Sequence, residues 1–199
     1  MYLGGVFVAG VLSVLHKSSD RWGRLIRACG LMLLVSVAAQ ALCLEPASAA
    51  GRDDPTAERV SYANAYGHGA IIIRTSERTL YYTLSDREAI RYQIAVGSPE
   101  NQWFGTTYVS AKRENPGWTP TRDIRRKNPR LPKYVPPGPK NPLGERALYL
   151  DWGTYRIHGT NAPRSIGRAV SNGCFRMRNA DVIDLFKRVH IGAPVYVEN

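Results

Sequence analysis

Short runs of β-branched and aromatic residues, each closed by turn residues, recur along the chain from Ala70 to the C-terminus. Runs this short, bounded by Gly, Pro, Asp and Ser, are typical of β-strands. The predicted strands are 70–75 (AIIIRT), 80–84 (LYYTL), 90–96 (IRYQIAV), 108–112, 147–150, 155–158 and 195–197. This pattern predicts a mainly β domain, most simply a β-sandwich-like fold with one or two short helices packed on it.

One helix is predicted near the C-terminus, with Asn179 as its N-cap. Four apolar residues recur there at the spacing of one helical face: Val182, Leu185, Phe186 and Val189. We expect this face to pack on the predicted sheet.

Residues 115–142 differ from the rest of the chain, because they carry eight of its thirteen prolines. Proline removes hydrogen-bond donors from a sheet, so this stretch is predicted to be a long loop. Residues 112–146 also hold ten Lys and Arg against Glu114, Asp123 and Glu145. The loop is interpreted either as a basic wall beside a site for an acidic substrate or as a solvated loop.

The first fifty residues have the pattern of a secretory signal. Three arginines precede an apolar run over residues 28–44, and small residues follow at 47–50. The predicted organisation is a leader over 1–50 cleaved near 49–51, a polar lead-in over 51–69 and one domain over 70–199. The protein is therefore expected to be exported to the periplasm or cell envelope. If the leader is not cleaved, its apolar run is a membrane anchor at the short end of the required length.

Cleavage of this leader would leave Cys174 as the one cysteine of the mature chain. It cannot then form an intramolecular disulfide, and an odd cysteine in an exported protein suggests a reactive thiol. Cysteine and histidine spacings suit neither a disulfide scaffold nor a zinc module, so no metal or cofactor is predicted. The net charge of +11 suggests an acidic partner: nucleic acid, an anionic membrane or a cell-wall polymer.

Two short segments carry the chemistry: 157–160 (IHGT) and 171–177 (SNGCFRM). A cysteine nucleophile needs a base, usually histidine, and His158 ends a predicted strand sixteen residues before Cys174. Gly173 frees the backbone before the thiol, so that amide N–H groups there can face an oxyanion. By composition alone, Cys174 as a small buried apolar residue is the interpretation that would ordinarily be favoured.

These segments resemble the L,D-transpeptidase (YkuD-type) catalytic domain family, and the resemblance extends from about Ala70 to the C-terminus. Further matching segments are 105–107 (GTT), 115–120 (NPGWTP), 141–144 (NPLG), 179–182 (NADV) and 192–195 (GAPV). The chain departs from the family pattern in two places. Asn172 stands where the family has a second histidine, and Trp103-Phe104 replace a Thr-Pro pair.

The resemblance implies a cysteine acyltransferase acting on peptidoglycan stem tetrapeptides. Cys174 would attack the third residue, release the terminal D-alanine and transfer the acyl group to an amine, giving 3→3 cross-links. His158 would be general base and then general acid, with its imidazole oriented by the Gly159 carbonyl.

The same resemblance implies roles for the residues around the nucleophile. Ser171, Asn172 and Gly173 would form the substrate and oxyanion side of the site. Arg176 would either bind a substrate carboxylate or brace the loop. Carbapenems would acylate Cys174.

Other functions remain open at this point. Water as acceptor would give an L,D-carboxypeptidase or hydrolase, and a lysine of an outer-membrane lipoprotein is a third acceptor. A non-catalytic wall-binding module would use the basic loop alone. Nucleic acid is not expected as a partner, because the chain has an export signal and no recognisable nucleic-acid motif.

Overall fold

A computed structural model describes residues 55–199 of the chain. The predicted leader, 1–50, lies outside these residues. Within the described part, no helix has both the length and the apolar character needed to cross a membrane.

Strands dominate the structure. They are β1 (Glu58–Ser61), β2 (Ile71–Arg74), β3 (Thr79–Thr83), β4 (Glu88–Gln93), β5 (Val96–Gly97), β6 (Gly105–Glu114), β7 (Arg146–Leu150), β8 (Arg156–His158), β9 (Ala169–Ser171), β10 (Phe175–Arg176) and β11 (Pro194–Glu198). The helices are α1 (Arg122–Lys127) and α2 (Asn179–Arg188), with 3-10 turns at Pro99–Asn101 and Pro163–Ser165. The predicted mainly β fold with two short helices is confirmed.

Nine strands form one sheet in the order β1-β4-β3-β2-β11-β6-β7-β8-β10. β6 joins its two halves: the first part of β6 pairs with β11 and the second with β7. The register shifts between Val109 and Ala111, which marks a bulge, and bulges bend a strand and increase its twist. β5 and β9 form a separate parallel pair.

The core lies between this sheet and α2. β2 is buried along Ile71, Ile72 and Ile73, as expected for a strand flanked on both sides and covered on both faces. The predicted helical face is confirmed, since Val182 and Leu185 are fully buried.

The predicted N-cap of α2 is wrong. Arg178 occupies the N-cap position, without a side-chain cap bond. The Asn179 side chain instead accepts hydrogen bonds from the backbone N–H of Thr160 at 3.1 Å and of Glu145 at 3.3 Å. Its amide oxygen thus ties the start of the helix to the chain segment that follows His158.

The Pro-rich segment 115–142 contains α1 and is held closed by a backbone bridge between Trp118 and Val135 and by one side chain. Asn141 is buried, and its amide donates to the carbonyls of Pro116, Val135 and Pro136 at 2.9, 3.1 and 3.0 Å. The segment is therefore an anchored loop. Sequence reasoning found neither α1 nor the edge strand β1, which pairs antiparallel with β4.

Candidate active site

The site is built on the parallel pair β8 and β10. Ile157 faces Phe175 across this pair, and both are buried in the core. Because side chains alternate between the faces of a strand, the neighbouring residues point to the opposite face. Four side chains are displayed there and line one cavity: Arg156 and His158 from β8, with Cys174 and Arg176 from the β10 side.

The cavity has a volume of about 630 Å³. Its other walls come from the turn after β7, the loop before β6 and the Pro-rich segment. Their lining residues include Trp152, Thr154, Asn101, Trp118, Asp123, Ile124, Lys127 and Leu143. The Pro-rich segment is thus a wall of the cavity. Of its basic residues, Lys127 alone is among the described lining residues, together with the acidic Asp123, so the basic character expected of this wall stays a prediction.

His158 is buried, and its Nδ1 lies 2.6 Å from the Gly159 carbonyl oxygen. Burial lowers the pKa of His158 to about 3, and the positive charges of Arg176 and Arg156 act in the same direction. The imidazole is therefore neutral near pH 7. With its Nδ1–H donating to Gly159, its Nε2 is an acceptor, which is the tautomer that a general base requires.

Cys174 is partly accessible, and its Sγ lies 3.8 Å from the Thr154 carbonyl oxygen. Burial raises the pKa of the Cys174 thiol, while the Arg156 guanidinium offsets part of that rise. The thiol is thus protonated at rest and must lose its proton as it attacks. The structure brings Cys174 and His158 to one face and one cavity. Hydrogen bonds between catalytic groups often tighten only when substrate binds.

The loop before the thiol is fixed by the Ser171 hydroxyl. Ser171 Oγ donates to the Cys174 carbonyl at 2.5 Å and accepts from the Gly173 N–H at 3.1 Å. This differs from the prediction that the Gly173 N–H faces an oxyanion, because that donor is already engaged. Among residues 55–199, no hydrogen-bond acceptor is found for the Cys174 N–H, which leaves it available.

Trp103 was missed by sequence reasoning, although it stands at one of the departures from the family pattern. Its indole N–H donates to the Gly173 carbonyl at 2.9 Å. Its ring stacks on Tyr155, with centroids 4.7 Å apart. Trp103 therefore holds the loop from the side opposite Ser171. Asn172, at the other departure, is exposed at the cavity wall.

Arg156 was missed too, although alternation back from His158 in the predicted strand 155–158 would have placed it on the same face. Its Nη1 donates to the Thr154 carbonyl at 2.9 Å, and its guanidinium carbon lies 5.0 Å from the Tyr149 ring centroid. Neither Arg156 nor Arg176 pairs with a carboxylate of the described chain. The same residues contain no group of three metal-ligating side chains.

Residues 68–197 match the model of the L,D-transpeptidase catalytic domain, YkuD. The chain belongs to this family, and the resemblance drawn from its motifs is confirmed. Two Escherichia coli K12 proteins described as probable L,D-transpeptidases are similar to it. ErfK/SrfK is 40% identical over 137 residues, covering 64% of this chain and 43% of that protein. YbiS is 41% identical over 138 residues, covering 64% and 44%. The chain thus spans less than half the length of these relatives.

A solved structure shows the same fold. Two crystal structures of L,D-transpeptidase 3 from Mycobacterium tuberculosis match with a TM-score of 0.51. One has 18% identity, and the other, a complex with a faropenem-derived adduct, has 16% identity. The match to the adduct structure covers 65% of this chain and 60% of that one. At this identity, the likeness concerns the fold alone.

Proposed function

We propose that this protein is an exported cysteine L,D-transpeptidase that acts on peptidoglycan stem tetrapeptides. The observation that carries the proposal is the placement of Cys174 and a neutral His158 on one face of the β8–β10 pair, within one cavity. Family membership supports the reaction class, and the similar proteins from E. coli are described as probable transpeptidases.

In the acylation step, His158 Nε2 takes the thiol proton as Sγ attacks the carbonyl of the third stem residue, typically meso-diaminopimelate. The Cys174 N–H donates to the oxygen that becomes negative in the tetrahedral intermediate. The C–N bond to D-alanine then breaks, and protonated His158 gives its proton to the leaving amine. The products are a thioester on Cys174 and free D-alanine.

In the transfer step, an amine from a neighbouring stem attacks the thioester. His158 accepts a proton from that amine, the C–S bond breaks, and the proton returns to the thiolate. The product is a 3→3 cross-link, and the enzyme is regenerated. The low pKa of His158 keeps the ring neutral and makes its protonated form a strong acid toward the leaving amine. It also makes the neutral ring a weak base, so removal of the thiol proton must be coupled to the attack of Sγ on the carbonyl.

Three further parts of the proposal concern acceptor, location and inhibitor. A stem amine is proposed as acceptor, in preference to water or a lipoprotein lysine. Export to the periplasm or cell envelope follows from the leader pattern of residues 1–50. Acylation of Cys174 by carbapenems is proposed from the family resemblance, and a structural neighbour carries an adduct derived from faropenem, a β-lactam of the related penem class.

Mass spectrometry of the full chain incubated with disaccharide-tetrapeptide, with and without imipenem, tests this function. We expect a covalent adduct on Cys174, release of D-alanine and a cross-linked dimer. The Cys174→Ala variant should show none of these. Release of D-alanine without dimer would identify a hydrolase, and absence of both adduct and product would favour a non-catalytic wall-binding module.

A further inference from the structure

The cavity that holds Cys174 is cationic beyond what the acyl-transfer chemistry needs. Its charged lining residues are Arg156, Arg176, Lys127 and Asp123. Asp123 is itself paired with Arg126 at 2.9 Å, on the same helix. His158 adds no charge, because it is neutral. An anionic group entering this cavity would therefore meet three cationic side chains and one carboxylate, which is already paired.

Arg156 is the cation nearest in the fold to the nucleophile. β8 and β10 run parallel with His158 opposite Arg176, so Arg156 lies opposite Cys174 in the same register. Side chains opposite each other on neighbouring strands are about 5 Å apart at Cβ. The Thr154 carbonyl oxygen lies 2.9 Å from Arg156 Nη1 and 3.8 Å from Sγ, which places the guanidinium beside the nucleophile.

Not every hydrogen-bond donor of the Arg156 side chain has an acceptor in the described chain. Nη1 donates to the Thr154 carbonyl, and the ring of Tyr149 lies under the guanidinium. Its Nε, however, is buried and has no hydrogen-bond partner in the described chain. A buried donor without a partner costs about 1–3 kcal/mol, and it is most simply explained by a ligand that supplies the acceptor. A carboxylate suits this fork-shaped donor best, because two parallel bonds can form.

We propose that Arg156 binds the terminal carboxylate of the donor tetrapeptide and thereby selects donors whose leaving residue ends in a free carboxylate. This inference rests on the proposed function, since it assigns a substrate group to the same site. The terminal carboxylate lies one residue beyond the carbonyl that Sγ attacks, which is a chain step of about 3.8 Å. The Thr154 carbonyl oxygen, which accepts from Arg156 Nη1 at 2.9 Å, lies 3.8 Å from Sγ, so a carboxylate one chain step from the attacked carbonyl comes near this guanidinium.

The test measures binding in the Cys174→Ala background, so that it does not depend on turnover. Calorimetry compares a tetrapeptide ending in D-alanine with the same peptide ending in D-alanine amide. We expect amidation to weaken binding about 10- to 100-fold, the value of one charge-assisted bond. Adding Arg156→Gln should weaken the acid peptide by a similar factor and leave the amide peptide unchanged. Arg156→Lys, which keeps the charge but not the fork, should restore binding in part.

Arg164→Gln is the matched control, because Arg164 is exposed and does not line the cavity. It should preserve the preference for the acid peptide. Equal binding of acid and amide peptides by the Cys174→Ala protein would overturn the inference without using any Arg156 variant.

A second readout separates substrate binding from activation of the thiol. In the protein with Cys174 intact, iodoacetamide alkylates the thiol at a rate that depends on its ionisation. Because the Arg156 guanidinium lowers the pKa of the thiol, Arg156→Gln should slow this alkylation. The inference requires that the same substitution also weaken binding of the acid peptide more than binding of the amide peptide. If the variant slowed alkylation and weakened both peptides equally, Arg156 would serve the thiol alone and the inference would be wrong. If the wild-type protein released no D-alanine, while the Cys174→Ala protein still bound the acid peptide more tightly than the amide peptide, only the proposed function would be contradicted.

Discussion

At the scale of single residues, Gly173 shows how tightly the loop before the thiol is determined. Its φ of +105° is rarely adopted by residues with a side chain, and an added Cβ would lie 2.5 Å from Cε1 of Tyr155. The two groups that hold this loop, Ser171 and Trp103, both bond to Gly173. A shift of the backbone here moves the Cys174 N–H and Sγ together.

Gly173→Ala is therefore expected to slow acylation of Cys174 by imipenem about 10- to 100-fold, the cost of displacing reacting groups by about 1 Å. Adduct formation followed by mass spectrometry measures the rate. Gly192→Ala is the matched control, since Gly192 has a φ of +92° but open space where its Cβ would lie. Equal rates for the two variants would show that the clash with Tyr155 does not matter.

His158 provides a second prediction, on stability. The folded protein holds the pKa of His158 at about 3, whereas an unfolded chain has the ordinary value near 6.5. Below pH 6.5 the unfolded state binds a proton that the folded state does not. As the pH is lowered from about 6 to 4, the free energy of unfolding should therefore fall by about 1.4 kcal/mol per pH unit. Above about pH 6.5, His158 should make no pH-dependent contribution to stability.

Urea unfolding of the wild type and of His158→Gln between pH 4 and 7.5 measures that slope. In the variant, the slope of the unfolding free energy against pH should be smaller by the contribution of one histidine proton. His68→Gln, at an exposed histidine, should keep the wild-type slope. If His158→Gln retained the full pH dependence of stability, burial of neutral His158 would not be its cause.

At the scale of elements, the Asn141 side chain fixes the Pro-rich segment as a wall of the cavity. Its amide satisfies carbonyls at both ends of the segment, those of Pro116 and Pro136, and its Oδ1 accepts from the Leu143 N–H at 2.8 Å. Among the described residues, no backbone N–H outside the helices and strands donates to the Pro116 or Pro136 carbonyl, so both depend on this side-chain donor.

Asn141→Ala should lower the free energy of unfolding by about 1–3 kcal/mol, because buried carbonyls lose their donor. It should also make residues 115–142 more susceptible to limited proteolysis than the sheet. Asn161→Ala, which removes one exposed bond to the Lys140 carbonyl at 2.9 Å, is the control and should change neither property measurably. Wild-type proteolysis of Asn141→Ala would mean that the segment is held by other contacts.

The elements that sequence reasoning found and missed differ in a physical way. Strands such as β2 bury every apolar side chain, so their composition identifies them. The missed β1 is charged and mostly exposed at a sheet edge, and α1 has no buried residue, so neither carries an apolar pattern. His158 and Cys174 were identified by local motifs. Arg156 could have been identified by strand alternation from His158, whereas Trp103 and the role of Asn179 depend on contacts between distant segments, which no local pattern encodes.

At the scale of the whole molecule, the segment before Ala70 is part of the folded unit. β1 covers the edge of β4, and Thr56 bonds to Asp181 on α2 through its N–H at 2.6 Å and its hydroxyl at 2.9 Å. Asp181 is fully buried, and burial raises the pKa of its carboxyl, while the two bonds from Thr56 act against that rise. The chain start predicted for the domain, Ala70, excludes both contacts.

A chain that begins at Ala70 should therefore be less stable than one that begins at Gly51, by about 2–4 kcal/mol. The loss combines a buried carboxylate without its donors and an uncovered strand edge. Chemical denaturation measures the difference, and light scattering should show that the shorter chain associates through β4. Thr56→Val in the longer chain separates the two causes, because it removes the hydroxyl bond to Asp181 and keeps β1. It should lower stability by about 1 kcal/mol without association. Equal stability of the two chains would mean that the fold is complete from Ala70 onward.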